Sequence, residues 1–218
     1  MPFDFLKRKK DPEAASAQVD SAGAQGVPKP DGIAFDGLTE EWRLVGRMLI
    51  EGRLSDALNK REPIAIDAVS WAPVDGSSMM APAPGLKSVD PYDLVVVFAD
   101  DTSLPAKTDE ERAAHRIHKV SYEVALEAPP YRVVGTILLY PGSEPDSVLQ
   151  RSSEMFVPVV GATATIGGRP IGPDVATAIL VNRQYLRGVE QVDARTGERH
   201  ETLPGDSLGG TNWTDRAR

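Results

Sequence analysis

The chain has 218 residues, of which 41% are hydrophobic and 26% are charged, and it contains no cysteine. This composition is typical of a globular protein with one large domain or two small ones, and it excludes disulfides, thiolate nucleophiles and cysteine-based metal centres. No run of residues approaches the roughly 18 consecutive apolar positions of a membrane-spanning helix.

The net charge of −8 is unevenly distributed along the chain. Residues 1–10 carry +3, so the remaining chain carries −11, the difference between −8 and +3. Because a body with that charge repels a phosphate backbone, we expect the folded part to bind no nucleic acid. The N-terminal residues also lack the apolar stretch and cleavage site of a secretory signal, which together with the missing cysteine predicts a cytoplasmic protein.

The first ten residues combine apolar and basic side chains, namely Phe3, Phe5, Leu6, Lys7, Arg8, Lys9 and Lys10. Such a cluster is suited to peripheral contact with an anionic membrane, where each basic residue contributes about 1 kcal/mol, or to binding by a partner protein. A solvated tail is the alternative. Residues 11–37 are rich in Ala, Ser, Gly, Pro and Gln, so we expect 1–37 to be a basic peptide followed by a disordered linker.

The stretch WRLVGRMLI at 42–50 recurs as YRVVGTILL at 131–139, with four identical residues in nine positions. Taken alone, the first stretch also fits an amphipathic helix that Thr39 would cap. The second stretch follows two prolines and is rich in β-branched residues, so it is predicted to be a strand. The match extends that prediction to 42–50.

Two consequences follow for this strand. Its apolar residues would alternate onto one face, formed by Trp42, Leu44, Met48 and Ile50. The glycine that both copies share, Gly46 in the first and Gly135 in the second, would mark a bulge or a close backbone approach.

The sequences downstream of the two stretches also correspond. Each copy continues with a turn and a short helix, GRLSDALN and GSEPDSVLQ, for which Ser55 in the first copy and Ser143 with Asp146 in the second are predicted N-terminal caps. Apolar strands come next, EPIAIDAVSW and MFVPVVGATATI, and each copy closes with a hydrophobic strand, YDLVVVFA at 92–99 and ATAILVN at 176–182.

The predicted fold class is therefore α+β and β-rich, with two tandem strand–short helix–strand–strand repeats packed as a pseudo-two-fold pair between disordered N- and C-terminal tails. The predicted boundaries are 38–103 for repeat 1, 104–203 for repeat 2 and 204–218 for the C-terminal tail.

Three further elements complete the pattern. Residues 116–126 alternate between apolar and polar and are predicted to pair, through the Pro129-Pro130 turn, with the strand that begins at Tyr131. A hairpin that turns at Thr196-Gly197 is predicted near the C-terminus. The stretch GGRPIGP at 167–173 matches no phosphate-binding pattern and is interpreted as a turn between strands.

The residue types that usually carry catalysis or metal binding form no recognisable constellation. The predicted strand places His115 and His118 on opposite faces, and His200 lies in the predicted hairpin. There is no GxSxG elbow, and Asp100-Asp101 and the acidic run at 109–111 are typical of solvated surfaces as well as of cation sites. We therefore assign no catalytic, cofactor-binding or metal-binding residue and expect no cofactor.

The predicted loop at 71–92 is much longer than its counterpart in the second copy, and it carries Trp71, Met79 and Met80 among Pro, Ser and Gly. Long loops with apolar residues are frequent binding sites, and methionine adapts to varied partners. These three residues are therefore candidate contacts for a protein partner. The alternative is an excursion whose methionines fold back onto the core.

The combination of WRLVGRMLI, GRLSDALN and IAIDAV resembles a pattern of uncharacterised bacterial β-rich domains. In that pattern a strand ending near a glycine is followed by R-L-S-D-x-L-N and by a second strand with Asp-Ala. The match here lies at 52–59 and Asp67-Ala68, and the second copy departs from it at 143–150. The resemblance implies a bacterial origin and a domain of repeated type, but no activity and no catalytic residues.

Two functional hypotheses follow. The first is a non-enzymatic binding or scaffold protein that contacts a protein partner and whose repeats bury an apolar face against each other. The second is an enzyme or small-ligand sensor with a polar site between the repeats. A deep pocket there, lined by Arg43, Arg132 and acidic residues, would favour the second, whereas a filled interface would favour the first.

Overall fold

The computed structural model describes residues 32–103, 119–150, 154–173 and 176–193. Within these ranges the chain is β-rich, with two short helices, α1 (Leu54–Asn59) and α2 (Ser147–Gln150). The first six strands are β1 (Ile33–Leu38), β2 (Trp42–Met48), β3 (Ile64–Pro73), β4 (Ala81–Pro82), β5 (Ser88–Val89) and β6 (Val96–Ala99). The other six are β7 (Val120–Ala128), β8 (Tyr131–Leu139), β9 (Phe156–Ile166), β10 (Arg169–Ile171), β11 (Ala178–Asn182) and β12 (Gly188–Gln191). Two 3-10 turns, η1 (Pro91–Asp93) and η2 (Arg183–Tyr185), precede β6 and β12.

The strands form one antiparallel sheet in the order β12-β7-β8-β9-β11-β6-β1-β2-β3-β4, with β10 also beside β9 and β5 also beside β3. The stretch at 42–50 is therefore a strand and not a helix, as its match with 131–139 predicts. Pairing of β7 with β8 through the Pro129-Pro130 turn is confirmed as well, since Ala128 lies opposite Tyr131. Of the stretch 167–173 that the sequence predicts as a turn, Gly167-Gly168 do form a turn after β9, but Arg169–Ile171 form β10 and pair with β9.

The same order of elements and pairings occurs twice along the described chain. In the N-terminal unit, residues 33–99, the neighbouring strands are β6, β1, β2, β3 and β5. In the C-terminal unit, residues 120–191, the corresponding neighbours are β12, β7, β8, β9 and β11. A short helix follows the second strand of each unit, and a hairpin strand, β4 or β10, pairs with the C-terminal half of β3 or β9.

This correspondence changes the alignment of the closing strands. YDLVVVFA, which contains the end of η1 and all of β6, matches η2 and β12. Its counterpart is therefore not ATAILVN, which contains β11. Both turns are capped in the same way: the Asp90 side chain accepts a hydrogen bond from the Tyr92 N–H, and the Asn182 side chain accepts one from the Gln184 N–H. The residue numbers of the two caps differ by 92 (182 against 90).

The two units join through unlike edges. β11 is the edge strand beside β9 in the C-terminal unit, and it pairs antiparallel with β6, the edge strand beside β1 in the N-terminal unit. Since β6 corresponds to β12 and not to β11, the two edges that meet are not equivalent. A two-fold pair of the usual kind brings identical edges together. The junction here continues one strand order across both units instead, and in this respect it differs from the pseudo-two-fold packing predicted from the sequence.

The junction strands separate two hydrophobic cores. Val97 of β6 and Leu180 of β11 belong to the core of the N-terminal unit, whereas Phe98 and Ile179 on the same strands belong to that of the C-terminal unit. Because successive side chains of a strand point to opposite faces, the two cores lie on opposite faces of the sheet at this point. All residues of β6 and β11 are buried for this reason.

Each core draws side chains from both units. Met155 and Phe156, at the start of β9, pack in the core of the N-terminal unit, where α1 contributes Leu54 and Leu58. Leu38, at the end of β1, packs in the core of the C-terminal unit. The predicted face of the first repeat strand is confirmed, since Leu44 and Met48 are buried in the first core and Trp42 and Ile50 pack against it.

Matching bulges occur in the two units. The register of β2 against β3 shifts at Gly46, and that of β8 against β9 shifts at Gly135. In each case the opposing strand has one extra residue, and a left-handed residue starts the bulge: Ala68 with φ 51° and Gly161 with φ 57°. A Cβ on Gly135 would lie 2.7 Å from the Cβ of Ala162, and one on Gly46 would lie 3.0 Å from the Asp67 carbonyl oxygen. The predicted bulge and close approach at the shared glycine are therefore both confirmed.

Hydrogen bonds also cross between the units. The Asn59 Oδ1 at the end of α1 accepts from the N–H groups of Met155 and Phe156, at 2.8 and 2.9 Å. The fully buried Asn182 donates its Nδ2 to the carbonyl oxygens of Pro91 and Leu94. These bonds satisfy polar groups that the apolar junction would otherwise leave without partners.

Three local predictions are corrected by the structure. β1 begins at Ile33, within the segment predicted as linker, and Phe35 on this strand belongs to the first core. Ser55 lies inside α1, whose N-cap is Arg53 without a side-chain cap. Ser143 does not cap α2 either, because that helix begins only at Ser147.

Several predictions fall outside the described residues. They concern the basic peptide, most of the linker, the three histidines, the acidic run at 109–111, the hairpin at Thr196-Gly197 and the C-terminal tail. The strand predicted at 116–126 is described from Val120 onward, where Val124 and Leu126 are buried in the second core.

Candidate functional site

A stacked pair of tryptophans marks one end of the N-terminal unit. The rings of Trp42 on β2 and Trp71 on β3 lie 4.7 Å apart between centroids, with an angle of 22° between their planes. The pair is diagonal across the strands, because Trp71 lies opposite Leu44 in the register. Such a stack contributes about 0.5–1.5 kcal/mol beyond its buried area and holds both rings in place.

The Trp71 side chain stacks on Trp42 and is still partly exposed. It retains 40% of its accessible surface, whereas Trp42 packs against the first core. The tryptophan stack is thus a fixed aromatic platform that is partly exposed to solvent.

The two candidate methionines lie next to this platform along the chain. Met79 and Met80 directly precede β4, and Ala81 of that strand pairs with Trp71. Met79 is 89% exposed and Met80 41% exposed, so the methionines do not fold back onto the core. The structure therefore places all three candidate contact residues, Trp71, Met79 and Met80, at the β3–β4 edge of the sheet. We call them, together with Trp42, the apolar patch.

The turn that leads into β2 borders the apolar patch with acidic groups. Thr39 Oγ1 accepts hydrogen bonds from the N–H groups of Glu41 and Trp42, which fixes the turn, and Glu40 and Glu41 are exposed there. Asp75, in the β3–β4 hairpin, is also exposed, and hydrogen bonds from Ser77 lower the pKa of its carboxyl. A partner segment that combines apolar and basic residues would be complementary to this surface.

The two arginines considered for a polar site lie in separate surroundings. Arg43 forms a two-point ion pair with Asp36 across β1 and β2, with nitrogen–oxygen distances of 3.0 and 2.5 Å, and this hydrogen bonding raises the pKa of its guanidinium. Arg132 pairs with Glu127 at 2.8 Å on β7 and β8. The structure does not bring Arg43 and Arg132 together.

Two cavities of the described structure bear on this question. One of about 480 Å³ lies between β6, β9, β10 and β11, and its described lining is without charged residues: Phe98, Ala162, Thr163, Ala164, Pro170, Ile171, Gly172, Pro173, Ala176 and Ile179. The other, of about 340 Å³, lies within the C-terminal unit beside the Glu127–Arg132 pair and the Gly167-Gly168 turn. The first cavity has neither arginine nor an acidic residue in its described lining, and the second contains Arg132 and Glu127 but not Arg43 and lies within one unit. The predicted pocket between the units, lined by both arginines and acidic residues, is therefore not found at either cavity.

The acidic pair after β6, Asp100 and Asp101, accepts hydrogen bonds from nearby backbone and threonine groups. The Asp100 carboxylate accepts hydrogen bonds from Thr102 and from the Ser103 N–H, and these bonds lower its pKa. Asp101 accepts from the Thr177 hydroxyl at 3.0 Å. Within the described ranges no group of three or more His, Asp or Glu side chains is placed to hold a metal ion.

Trp42 is the member of the apolar patch that sequence reasoning did not assign to a site. The sequence places it on the inward face of a strand, but the diagonal register that puts it against Trp71 depends on the bulge at Gly46. A strand pair without the bulge would offset the two rings by one residue and turn them to opposite faces. The glycine shared by both repeats was the available signal for this register.

Comparison with family models, with curated proteins and with solved structures finds no match to this chain. Among the described residues no helix has both the length and the apolar character needed to cross a membrane.

Proposed function

We propose that this protein is a non-enzymatic binding or scaffold protein of bacterial type that contacts a protein partner through the apolar patch. The single observation that carries the proposal is the exposed tryptophan platform with two exposed methionines beside it. Aromatic and methionine side chains are the residues most enriched at protein interfaces. A rigid aromatic anchor with adaptable methionines is a typical composition of an interface centre.

The chemistry of the patch defines the partner that we propose. Its apolar centre would take an aliphatic or aromatic side chain, and Glu40, Glu41 and Asp75 would attract lysine or arginine at the rim. We therefore propose a partner segment with an apolar anchor flanked by basic residues. The charge contribution should weaken as salt increases, because exposed charges are screened.

A site-specific photocrosslinker at Met79 in the full chain, activated in cells, tests this proposal. Leu138 is the matched control position, since it is also an apolar side chain on a strand surface and 47% exposed. We expect a discrete crosslinked product from position 79 that is absent from position 138 and is lost on Trp71→Ala. The same products from both positions, or none from position 79, would contradict the proposal.

The architecture that we propose for the scaffold is a tandem duplication. The matching strand orders, the matching bulges and the two capped 3-10 turns support the inference that both units descend from one β-rich domain. Each unit contributes residues to the other's core, so we propose that they function as one rigid body with the apolar patch at one end.

We further propose a cytoplasmic protein whose residues 1–10 contact an anionic membrane surface. The support is the charge of +3 next to Phe3, Phe5 and Leu6. Co-sedimentation of the full chain with phosphatidylserine-containing vesicles should be lost when residues 1–10 are deleted and should be weak with neutral vesicles. Equal sedimentation of the full and shortened chains would refute this proposal.

A further inference from the structure

The junction uses one edge strand of each unit, so the other edge strand of each unit, β5 or β12, stays at an end of the described sheet. β11 of the C-terminal unit pairs with β6 of the N-terminal unit, and β5 and β12 are the equivalents of these two strands. No described strand pairs with the outer side of β5 or of β12 within residues 32–103, 119–150, 154–173 and 176–193.

The backbone groups at both edges have the pattern of a strand that can accept a neighbour. Lys87 accepts from the Ile66 N–H on β3, so by alternation the N–H and C=O of Ser88 point away from the sheet. The Val192 N–H donates to Glu123 on β7, so the backbone groups of Val189 and Gln191 point outward on β12. These are the same positions that the junction uses, since Ser88 and Val189 correspond to Leu180 and Val97.

The register of the junction predicts which side chains would meet if β12 paired with β5. In the junction Ile179 lies opposite Phe98, and Leu180 lies opposite Val97. With the difference of 92 between equivalent positions, Lys87 would lie opposite Glu190, and Ser88 opposite Val189. The apolar pair Ile179–Phe98 of the internal junction would thus correspond to the oppositely charged pair Lys87–Glu190 between two copies.

We propose that the chain self-associates head to tail, with β12 of one copy pairing antiparallel with β5 of the next. The occupant of each edge is a second copy of this chain, because the two edges repeat the geometry of the existing β6–β11 junction and carry complementary charges. A junction between unlike edges leaves the same two edges at the ends of each assembly, so it can continue into longer assemblies or close into a ring.

The association should be weak and reversible. β5 has only two residues, and the residues near the contact are polar, unlike the fully buried β6 and β11. Short, charged edge strands are a common means of limiting uncontrolled sheet extension. The Lys87–Glu190 pair would make this limited contact selective for the head-to-tail register.

Sedimentation velocity of the full chain at low salt, over a range of concentrations, tests the proposal. We expect the mean mass to rise with concentration. Lys87→Glu and Glu190→Lys should each weaken association by about tenfold or more, because each places like charges opposite each other. An equimolar mixture of the two variants should associate again, since each edge then faces an opposite charge.

Lys60→Glu is the matched control, because it makes the same charge change at an exposed residue that follows α1 and belongs to neither edge strand. It should leave the association unchanged. A wild-type chain that stays monomeric at every concentration, or a mixture that behaves like the separate charge variants, would overturn the proposal.

A second pair of variants separates edge pairing from general charge effects. Ser88→Pro removes an outward N–H and leaves the β3–β5 ladder intact, so it should abolish self-association, whereas Ser88→Ala should preserve it. Equal association of Ser88→Pro and the wild-type chain would also overturn the proposal. Trp71→Ala, which tests the proposed function, should not alter self-association, so the two proposals can fail separately.

Discussion

Two equivalent residues solve the same backbone problem with different side chains. The bulge between β2 and β3 starts at Ala68, and the bulge between β8 and β9 starts at Gly161, both with positive φ. Glycine adopts this conformation without steric cost, whereas a Cβ makes it unfavourable by about 1–2 kcal/mol. The first unit therefore carries local strain at Ala68 that the second unit avoids.

Ala68→Gly should raise the free energy of unfolding by up to about 1 kcal/mol, and Gly161→Ala should lower it by about 1–2 kcal/mol. Urea denaturation of the full chain measures both. Gly85→Ala is the control, because no atom lies within 4 Å of its added Cβ and its φ is not positive. That variant should be neutral or stabilising by about 0.4–1 kcal/mol. If Ala68→Gly lowered the free energy of unfolding, the inference that Ala68 is strained would be contradicted.

Tyr131 connects the two units through one hydroxyl group. It occupies the position of Trp42 in the second unit, is almost fully buried, and donates a hydrogen bond to the Thr39 carbonyl oxygen in the first unit at 2.5 Å. Burial raises the pKa of the phenol well above its ordinary value near 10, and the charge of Glu40 adds to the increase. The group therefore stays protonated in the folded chain at alkaline pH.

Tyr131→Phe should lower the free energy of unfolding by about 0.5–1.5 kcal/mol at neutral pH, through loss of the hydrogen bond.

Above pH 10 the unfolded chain loses the phenol proton before the folded chain does. Tyr131 therefore makes the free energy of unfolding fall with rising pH, by at most about 1.4 kcal/mol per pH unit. The variant should therefore lose stability less steeply than the wild-type chain above that pH. Parallel curves from guanidinium denaturation between pH 8 and about 11 would show that Tyr131 is accessible to solvent.

At the scale of single elements, α1 is the clearest case of a short sequence with a structural role. Leu54, Ala57 and Leu58 face the first core at helical spacing, and Asn59 ends the helix with its side chain on the backbone of β9. The R-L-S-D-x-L-N signature thus supplies core side chains and a cross-unit acceptor. The second copy departs from this signature at 143–150.

Asn59→Ala should lower the free energy of unfolding by about 1–3 kcal/mol, because the N–H groups of Met155 and Phe156 lose their acceptor. Asn59→Asp keeps an oxygen in place and should cost less. Urea denaturation of both variants is the measurement. An alanine variant within about 0.5 kcal/mol of wild type would show that water replaces the bond.

The elements differ in how far the sequence predicts them. The repeat at 42–50 and 131–139, the bulges at its glycines and the strands β3 and β9 follow from patterns within each segment. The counterpart of β6, which is β12, cannot be predicted in this way. β6 and β11 are both continuous apolar runs because both lie between the two cores, whereas GVEQ of β12 is polar because it is an edge strand. The position of a strand in the whole sheet, and not its place within its unit, determines which strands look alike in sequence.

Two further misses have the same origin in tertiary context. β1 stands at the end of a segment rich in Ala, Gly and Pro, and only the burial of Phe35, Gly37 and Leu38 distinguishes it. In the apolar patch, the exposed Met79 and Met80 follow from local composition, but the stack of Trp42 on Trp71 depends on a bulge in the opposing strand. Contacts set by register are not visible in a single segment.

For the whole molecule, the central feature is that neither core consists of residues from one unit alone. β6 and β11 contribute to both cores, Met155 and Phe156 complete the first, and Leu38 contributes to the second. Separating the units would expose two buried strands and remove these side chains from both cores. We therefore predict that the described chain unfolds as one cooperative unit, with the junction as its most protected part.

Native-state hydrogen exchange of the full chain tests this claim most directly. The amides of Val97 on β6 and Leu180 on β11 face each other in the junction. We predict that both exchange only by global unfolding, with the same free energy of exchange, equal to that from denaturant unfolding. The contrary result would be a free energy of exchange at the global value for Leu180 and a much lower one for the amides of β1 and β2. It would show that the units unfold separately, and it would contradict the shared core.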